Sequence, residues 1–422
     1  MVTESSISPM HKIVESAYNA FLKLEKSKGS DRSLAIKAMA QGLKGAFDQI
    51  LEANTLDLVV SREMAIPELL LDWLKLTPER LQKTVEVLED LAQLTDPLQR
   101  VRNAVYQLNT CQTYCQLMPL GVIAFIYEGF PEIAAIAAGL AMKTGNAIIL
   151  RGGSEAGQSN AAIAQILQTA IEEVGLPKDC LQFISAEQGA SIQELITRDQ
   201  HLNLVIPYGR PSLIQEVVQL ATAPVLKSAM GNCYLYWSSS GDLDLVRFAI
   251  TDSHTRQPDA VNAIEKVLVN ANHKASSLTR LWGGLSEKGY QLRGDEKLVA
   301  QFPEHLTLAK DYEWAVPYLN KTIAFKKIET IESAIAWINQ HSSGHADCLI
   351  TESYQESRQF SVEVDSALVY INSSPRFSRN PKGSRTVFLG MSNQKGYRRG
   401  LIGLETLTTL KQVVQGDGKQ DI

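Results

Sequence analysis

Residues 121–155 read GVIAFIYEGFPEIAAIAAGLAMKTGNAIILRGGSE, and the order of patterns in this stretch decides the fold. Val122–Ile126 is a short uncharged run, as expected of a strand covered on both faces. Glu132–Met142 is longer and alanine-rich, which predicts a buried helix. Ala147–Leu150 is a second apolar strand. Arg151-Gly152-Gly153 turns the chain into a helix predicted over Ser154–Val174 and closed by Gly175-Leu176-Pro177. Two strands joined through a helix form a βαβ crossover, which requires a parallel sheet with helices on both faces. The alternation continues with a strand at Leu181–Ile184, a short helix at Ile192–Thr197, a strand at Leu204–Ile206 and a helix at Ser212–Ala221.

Outward from this core the patterns change. The first hundred residues read as helical. Ser8-Pro9 is a helix start, and Ile13, Val14, Ala17, Phe21 and Leu24 follow at helical spacing. Ser33 is expected to cap a second helix running through Ala53, and a third covers Pro78–Leu94. Val105–Leu117 alternates without a single charge. It reads as a strand or hairpin whose edge must be covered, for which a subunit contact would serve. Asp242 opens a helix, and Ala263–Val269 fits helix or strand. A second α/β unit is expected from about residue 238 to 375. Ser378–Arg399, rich in Gly, Ser, Asn and Arg, reads as loop, and Leu401–Val413 closes the chain.

The 422 residues suffice for two or three domains. Hydrophobic residues are 45%, charged residues 21% and the net charge is −5, so no basic excess points to nucleic acid. Lys143 and Asn146 interrupt the most apolar stretch, which excludes a membrane span there. The start, Met1-Val2-Thr3-Glu4-Ser5, lacks the pattern of a secretory signal. Five cysteines at irregular spacing form no disulfide framework and fit a reducing cytoplasm. The Cys111/Cys115 pair could suggest metal, but the alternating letters around it read as strand packing, and the histidines show no ligand spacing, so no metal is expected. The dinucleotide fingerprint G-x-G-x-x-G and the G-x-x-x-x-G-K-[ST] phosphate loop are both absent. What remains is Arg151-Gly152-Gly153-Ser154-Glu155 between a strand and a helix. It can be an ordinary βα turn, or an anion site where backbone N–H groups and the helix dipole meet a phosphate.

Longer segments decide the context. Met118-Pro119-Leu120-Gly121, Ile126-Tyr127-Glu128 and Leu140 through Gly153 resemble the γ-glutamyl phosphate reductase family (glutamate-5-semialdehyde dehydrogenases) in order and spacing. So do the segments around Asp347, Asp365–Asn372, Arg376-Phe377 and Gly403–Thr409. The similarity covers residues 13 to 411. It implies the aldehyde dehydrogenase fold: two Rossmann-type parallel-sheet domains plus a small oligomerisation flap. The implied domains are nucleotide-binding (8–103 and 119–236) and catalytic-type (237–398), with oligomerisation segments at 104–118 and 399–415. It also implies NADP as cofactor, held near Lys143, Arg151, Gly152, Gly153, Ser154 and Glu155. The implied assembly is a cytoplasmic homo-oligomer, a dimer or tetramer, or a partnership with an active paralogue. Family members reduce L-glutamate 5-phosphate to the 5-semialdehyde with NADPH, in proline biosynthesis.

In that reaction a cysteine thiolate attacks the acyl phosphate, and the resulting thioester takes a hydride. The cysteine's place is held here by Val261, followed by Asn262, in the segment Thr255–Ala263. Valine has no lone pair and no ionisable proton. Other departures accompany it. Phe130 stands for an arginine, and Glu132 for an asparagine that donates to the developing oxyanion. Tyr208 stands for an arginine, Arg210 for a glycine and Pro317 for an acid. Residues 379–388 replace a glycine-rich acidic loop. The reading is therefore a reductase scaffold that is impaired or inactive in catalysis, with a scaffold or regulatory role. Two alternatives stand beside it: an active reductase using a displaced thiol at Cys233, and an anion- or partner-binding protein using the basic run Arg376–Arg399.

Overall fold

The structure is a computed structural model; it describes residues 9–104, 111–185, 192–198, 200–255, 260–396 and 398–416. Two compact units form. The first runs to Lys227 and adds Arg379–Leu389 and the chain from Leu401; the second is Ser228–Ser378 with Gly390–Gly400. In chain order the first unit holds α1 (Pro9–Leu24), α2 (Gly29–Gly45), α3 (Phe47–Glu63), α4 (Glu68–Leu74), α5 (Pro78–Gln93), β1 (Val101–Asn103), β2 (Gln112–Pro119), β3 (Val122–Tyr127), α6 (Ile133–Lys143), β4 (Ala147–Gly152), α7 (Gly157–Glu173), β5 (Leu181–Phe183), α8 (Ile192–Ile196), β6 (Leu204–Tyr208) and α9 (Pro211–Leu220). The second unit follows with β7 (Ser228–Ala229), β8 (Cys233–Trp237), α10 (Leu243–Ser253), β9 (Ile264–Asn270), α11 (Ala275–Ser286), β10 (Gln291–Gly294), α12 (Glu296–Gln301), β11 (Thr307–Leu308), β12 (Thr322–Ile328), α13 (Ile331–His341), β13 (Ala346–Ile350), α14 (Tyr354–Glu363) and β14 (Leu368–Ile371). Strands β15 (Phe388–Ser392), β16 (Gly400–Gly403) and β17 (Thr408–Gln415) end the described chain.

The first unit's sheet is parallel, in the order β5-β4-β3-β6. Every residue of β3 is buried, which is why its sequence runs apolar without alternation. From β3 the chain steps to β4 on one side, and β6 later joins the other side. The topological switch therefore falls between β3 and β6, the place where open α/β sheets hold ligands beyond their carboxyl ends. The second unit's sheet is also parallel, in the order β11-β10-β12-β9-β8-β13-β14. On β8, Leu235 and Trp237 enter one core cluster and Tyr234 and Tyr236 the opposite one, the period of two that a strand imposes. β2 pairs antiparallel with β1 and with β17 in a separate three-stranded sheet. Residues 105–110 of the predicted hairpin lie outside the described residues, as does Ser8 of the first helix start. Among the described residues no helix is long and apolar enough to cross a membrane, and no group of three or more His, Cys, Asp or Glu could hold a metal ion.

Three expectations are corrected. The helix predicted from Ser33 through Ala53 is two helices. Gly45 ends α2, and the Ala46 N–H turns back to the Leu43 carbonyl while the Ala46 carbonyl starts α3. Ser33 lies inside α2 rather than capping it. The loop predicted over Ser378–Arg399 contains β15, whose Leu389 and Met391 are buried; the glycine between them hid the alternation. Lys143, expected near the cofactor, is a structural lysine. It is buried at the end of α6, and its ammonium donates to Ser33 Oγ (2.8 Å) and to the Ala92 carbonyl (3.1 Å). Burial lowers its pKa to about 8. It precedes β4, whereas Arg151 and Gly152 end β4 and Gly153 to Glu155 follow it.

α3 is inverted relative to an ordinary surface helix. Asn54, Asp57 and Ser61 are buried, while Leu56, Val59 and Val60 face outward. The reason is Asp57. Its carboxylate accepts from the amides of Gln158 (3.0 Å) and Ser159 (2.7 Å) and from Ser159 Oγ (2.6 Å), and so caps α7 from outside that helix. Replacing Asp57 by alanine should destabilise the protein by ~2 kcal/mol in urea denaturation, since three donors lose their partner. Leu56→Ala, on the exposed face, should change stability by less than ~0.5 kcal/mol.

Candidate nucleotide and catalytic positions

At the carboxyl edge of the first sheet, Arg151 and Gly152 end β4 and Gly153 begins the turn into α7. Gly152 is required by packing. A Cβ there would sit 2.1 Å from Asn160 Nδ2 and 3.1 Å from Tyr127 Cζ. Those two side chains hold each other, Tyr127 Oη donating to Asn160 Oδ1 at 3.0 Å. A Cβ on Gly153 would strike the Glu155 carboxylate. Glu155 accepts from the Gly129 amide (2.8 Å), and burial raises its pKa. The Arg151 Nε is buried without a protein partner. Ser154 opens the 3-10 turn before α7. The sequence suggested that α7 would offer its first amides to an anion. Those of Gln158 and Ser159 are already taken by Asp57, so that part of the site is supplied by the protein's own carboxylate. Asp57 was hidden from sequence reasoning because Asn54, Asp57 and Ser61 share the spacing of a solvated helix face.

The departures in this unit contact one another. Phe130 is buried, stacks on Trp73 (centroids 4.7 Å apart, 26° between planes) and meets Tyr208 edge-on (5.9 Å, 80°). Arg379 donates to Tyr208 Oη at 3.1 Å, lies over the same ring at 5.9 Å and also donates to the Leu389 carbonyl. Glu132 accepts from Arg80, through Nε at 2.9 Å and through Nη2. The position that should donate a hydrogen bond is thus a carboxylate locked in a largely buried ion pair. Arg210 pairs with Glu128 through both ends of its fork, Nε to Oε1 at 3.0 Å and Nη2 to Oε2 at 2.9 Å.

In the second unit, Val261 precedes β9 and is fully buried; residues 256–259 of its loop lie outside the described residues. Its carbonyl accepts from the Gly231 amide (2.9 Å) and from His345 Nε2 (3.0 Å). Asn262 donates through Nδ2 to the Pro375 carbonyl at 2.8 Å. Cys233 Sγ lies 3.3 Å from the same His345 Nε2. The carbonyl is only an acceptor, so Nε2 carries the proton and presents no lone pair to the thiol. Burial holds His345 neutral, with its pKa lowered to about 4, and pushes the Cys233 thiol well above its ordinary value. Cys233 is therefore a buried thiol to which His345 Nε2 offers no lone pair. At the position beside Pro317, buried Glu265 accepts from the amides of Asn232 (2.9 Å), Tyr318 (2.7 Å) and Leu319 (2.8 Å).

The basic run is not a free cationic surface. Arg376 pairs with Asp252 at 3.0 Å, Lys395 pairs with Asp365, and Arg399 pairs with Asp365 at 2.9 Å. Lys382 and Arg385 line a cleft of about 720 Å³ whose opposite wall carries Glu86, Glu89 and Asp90. Three of the seven cations of the run, Arg376, Lys395 and Arg399, are thus paired with carboxylates.

The sequence profile of the aldehyde dehydrogenase family matches residues 2–254. The chain is 55% identical over 419 residues to gamma-glutamyl phosphate reductase 2 of Synechocystis sp., covering 99% of this chain and 100% of that one. It is 37% identical to the gamma-glutamyl phosphate reductase of Gloeobacter violaceus over 99% of each chain. The crystal structure of gamma-glutamyl phosphate reductase from Thermotoga maritima superposes with a TM-score of 0.89 at 32% identity, covering 98% of this chain and 100% of that one. An acetylating aldehyde dehydrogenase from Geobacillus thermoglucosidasius, at 15% identity and a TM-score of 0.69 over 99% of this chain and 98% of that one, shares the fold. Two parallel-sheet units of this order, with full-length identity at this level, place the chain in the gamma-glutamyl phosphate reductase family, within the aldehyde dehydrogenase fold.

Proposed function

We propose that this chain is a dinucleotide-binding member of the reductase family that does not carry out the covalent step. The observation that carries the reading is Val261, buried at the nucleophile position with its carbonyl fixed by Gly231 and His345. Reduction of an acyl phosphate through a thioester needs a polarisable, ionisable atom at the attacking position. The described neighbour with sulfur, Cys233, is held as a thiol. The oxyanion position carries Glu132, whose charge is spent on Arg80 and would repel rather than stabilise a developing negative charge. Kinship favours the opposite reading, a working reductase of L-glutamate 5-phosphate, because the 55% relative bears that family's name.

The first unit is read as the nucleotide domain and the second as the catalytic-type domain, with β1, β2 and β17 as the oligomerisation element. NADP is the cofactor that the family relationship suggests. The edge of the first sheet suits such a ligand. Arg151 Nε is unpartnered, and Arg210 stands at the switch point with its side chain 37% exposed. When bound, a nicotinamide dinucleotide supplies a hydride acceptor or donor; the protein's residues would hold and orient it. A cytoplasmic homo-oligomer, or an assembly with an active paralogue, fits this reading.

Purified protein given L-glutamate 5-semialdehyde, phosphate and NADP should form no NADPH above the blank, a loss of roughly 10⁶ relative to a cysteine-bearing enzyme. NADPH titrated in the same preparation should raise the melting temperature. Phosphate-dependent turnover would establish the reductase reading instead. Val261→Cys alone should restore only a small fraction of a reductase's rate, because Glu132 and the Phe130–Tyr208–Arg379 cluster remain. Full recovery in that variant would show that the other replacements do not limit the chemistry.

A further inference from the structure

We infer that the second unit holds a small-molecule site of its own, at the carboxyl ends of β9 and β12, and that it takes a monocarboxylate with an apolar body. The topology makes the opening. β9 and β12 are adjacent and parallel, with Ala324 beside Lys266 and Ile328 beside Asn270. The chain leaves β9 into α11, whose Leu278, Leu281, Trp282 and Leu285 join the core on one face of the sheet. It leaves β12 into α13, whose Ile331, Ala334, Ile335 and Ile338 join the core on the other face. Neighbouring strands whose connections part to opposite faces leave a crevice beyond their carboxyl ends, where open α/β sheets hold ligands. Val261 precedes β9, so the crevice lies at the opposite end of that strand from the nucleophile position.

A cavity of about 370 Å³ opens there, a size that small ligands fill. Its walls are mostly apolar, from Val269, Leu278, Leu298 and Phe302. Lys327 supplies the charge. It shares its face of β12 with Phe325, which belongs to the core under α11, so its side chain rises on the cavity's side of the sheet. Lys326 points the other way, 3.9 Å from Asp295 and over the Trp337 ring at 4.2 Å. Lys327 gives its amide to Asp295 Oδ2 at 3.1 Å, and its ammonium has no partner among the described residues. The other oxygen of Asp295 accepts from the Leu298 amide at 2.9 Å. His273 forms a fixed wall, with Nε2 on the Ser238 carbonyl at 2.9 Å and its ring against Trp237, centroids 3.9 Å apart. Burial lowers its pKa, so the ring is neutral near pH 7 and Lys327 is the cation of the site. One half-buried ammonium above an apolar chamber matches a single carboxylate carried on a hydrocarbon body. A polyanion would bring charges that find no partner there.

The test uses the full-length protein with benzoate as probe and benzamide as its uncharged counterpart, followed by saturation-transfer NMR and calorimetry. Benzoate should bind saturably with a Kd of about 1 mM, and benzamide roughly tenfold more weakly. Two variants separate the charge from the chamber. Lys327→Met keeps the length of the side chain and removes the ammonium. It should weaken benzoate roughly tenfold and leave benzamide unchanged. Ala275 lines the cavity from the exposed first position of α11, so Ala275→Trp places a ring in the opening without entering the core. It should weaken both probes by a similar factor. Circular dichroism confirms that each variant is folded. The inference does not depend on the dinucleotide reading, and saturating NADPH should leave benzoate binding as it was. Three results would overturn it: no benzoate binding to the wild type up to ~20 mM, the same affinity in the wild type and both variants, or displacement of benzoate by NADPH.

Discussion

The Val261 carbonyl accepts two hydrogen bonds, from the Gly231 amide and from His345 Nε2, and the second unit's candidate site is arranged around that carbonyl. Both bonds go to the backbone, so they hold whatever side chain residue 261 carries. His345 is pinned from the other side by Ser343, Oγ to Nδ1 at 2.8 Å. Asn262 is tied to Pro375, and Glu265 gathers the amides of Asn232, Tyr318 and Leu319. Residues 261 and 262 are thus held to main-chain partners, with an apolar side chain at 261. A fold can survive this exchange because the scaffold's polar groups are satisfied by main chain, and valine adds apolar volume to a dry position.

The first unit has exchanged charge for packing in a coordinated way. Phe130 and Tyr208 stand where arginines are expected, and they touch each other. Arg379 stands in the replaced loop and touches Tyr208. Glu132 has found Arg80. Random decay would leave buried charges without partners, each costing several kcal/mol. Here Phe130, Tyr208 and Arg379 touch one another, and Glu132 is paired with Arg80 through Oε1.

Much of the fold was legible in the sequence, for physical reasons. The buried parallel strands Val122–Tyr127 and Ala147–Gly152 are apolar throughout, and no other arrangement covers both of their faces. The alternation of strand and helix dictated the crossover. Elements governed by tertiary contacts were not legible. α3 looked continuous with α2 because a glycine-to-alanine junction carries little signal, and its polar face looked solvated because Asp57 caps a helix a hundred residues away. Lys143 looked like a ligand because a lysine beside a strand–helix turn has that role in many sites; its buried bonds to Ser33 and Ala92 depend on α2 and α5. The identity of residue 261 was legible, since a single letter gives that position an apolar side chain. The state of Cys233 was not, because it depends on which nitrogen of His345 holds a proton.

Intact-mass spectrometry after incubation with L-glutamate 5-phosphate generated in situ tests the central claim most directly. The account predicts that the chain keeps its unmodified mass, because no side chain at the reacting position can form an acyl bond. A mass increase of one glutamyl group, mapped by peptide digestion to any residue of the second unit, would contradict it.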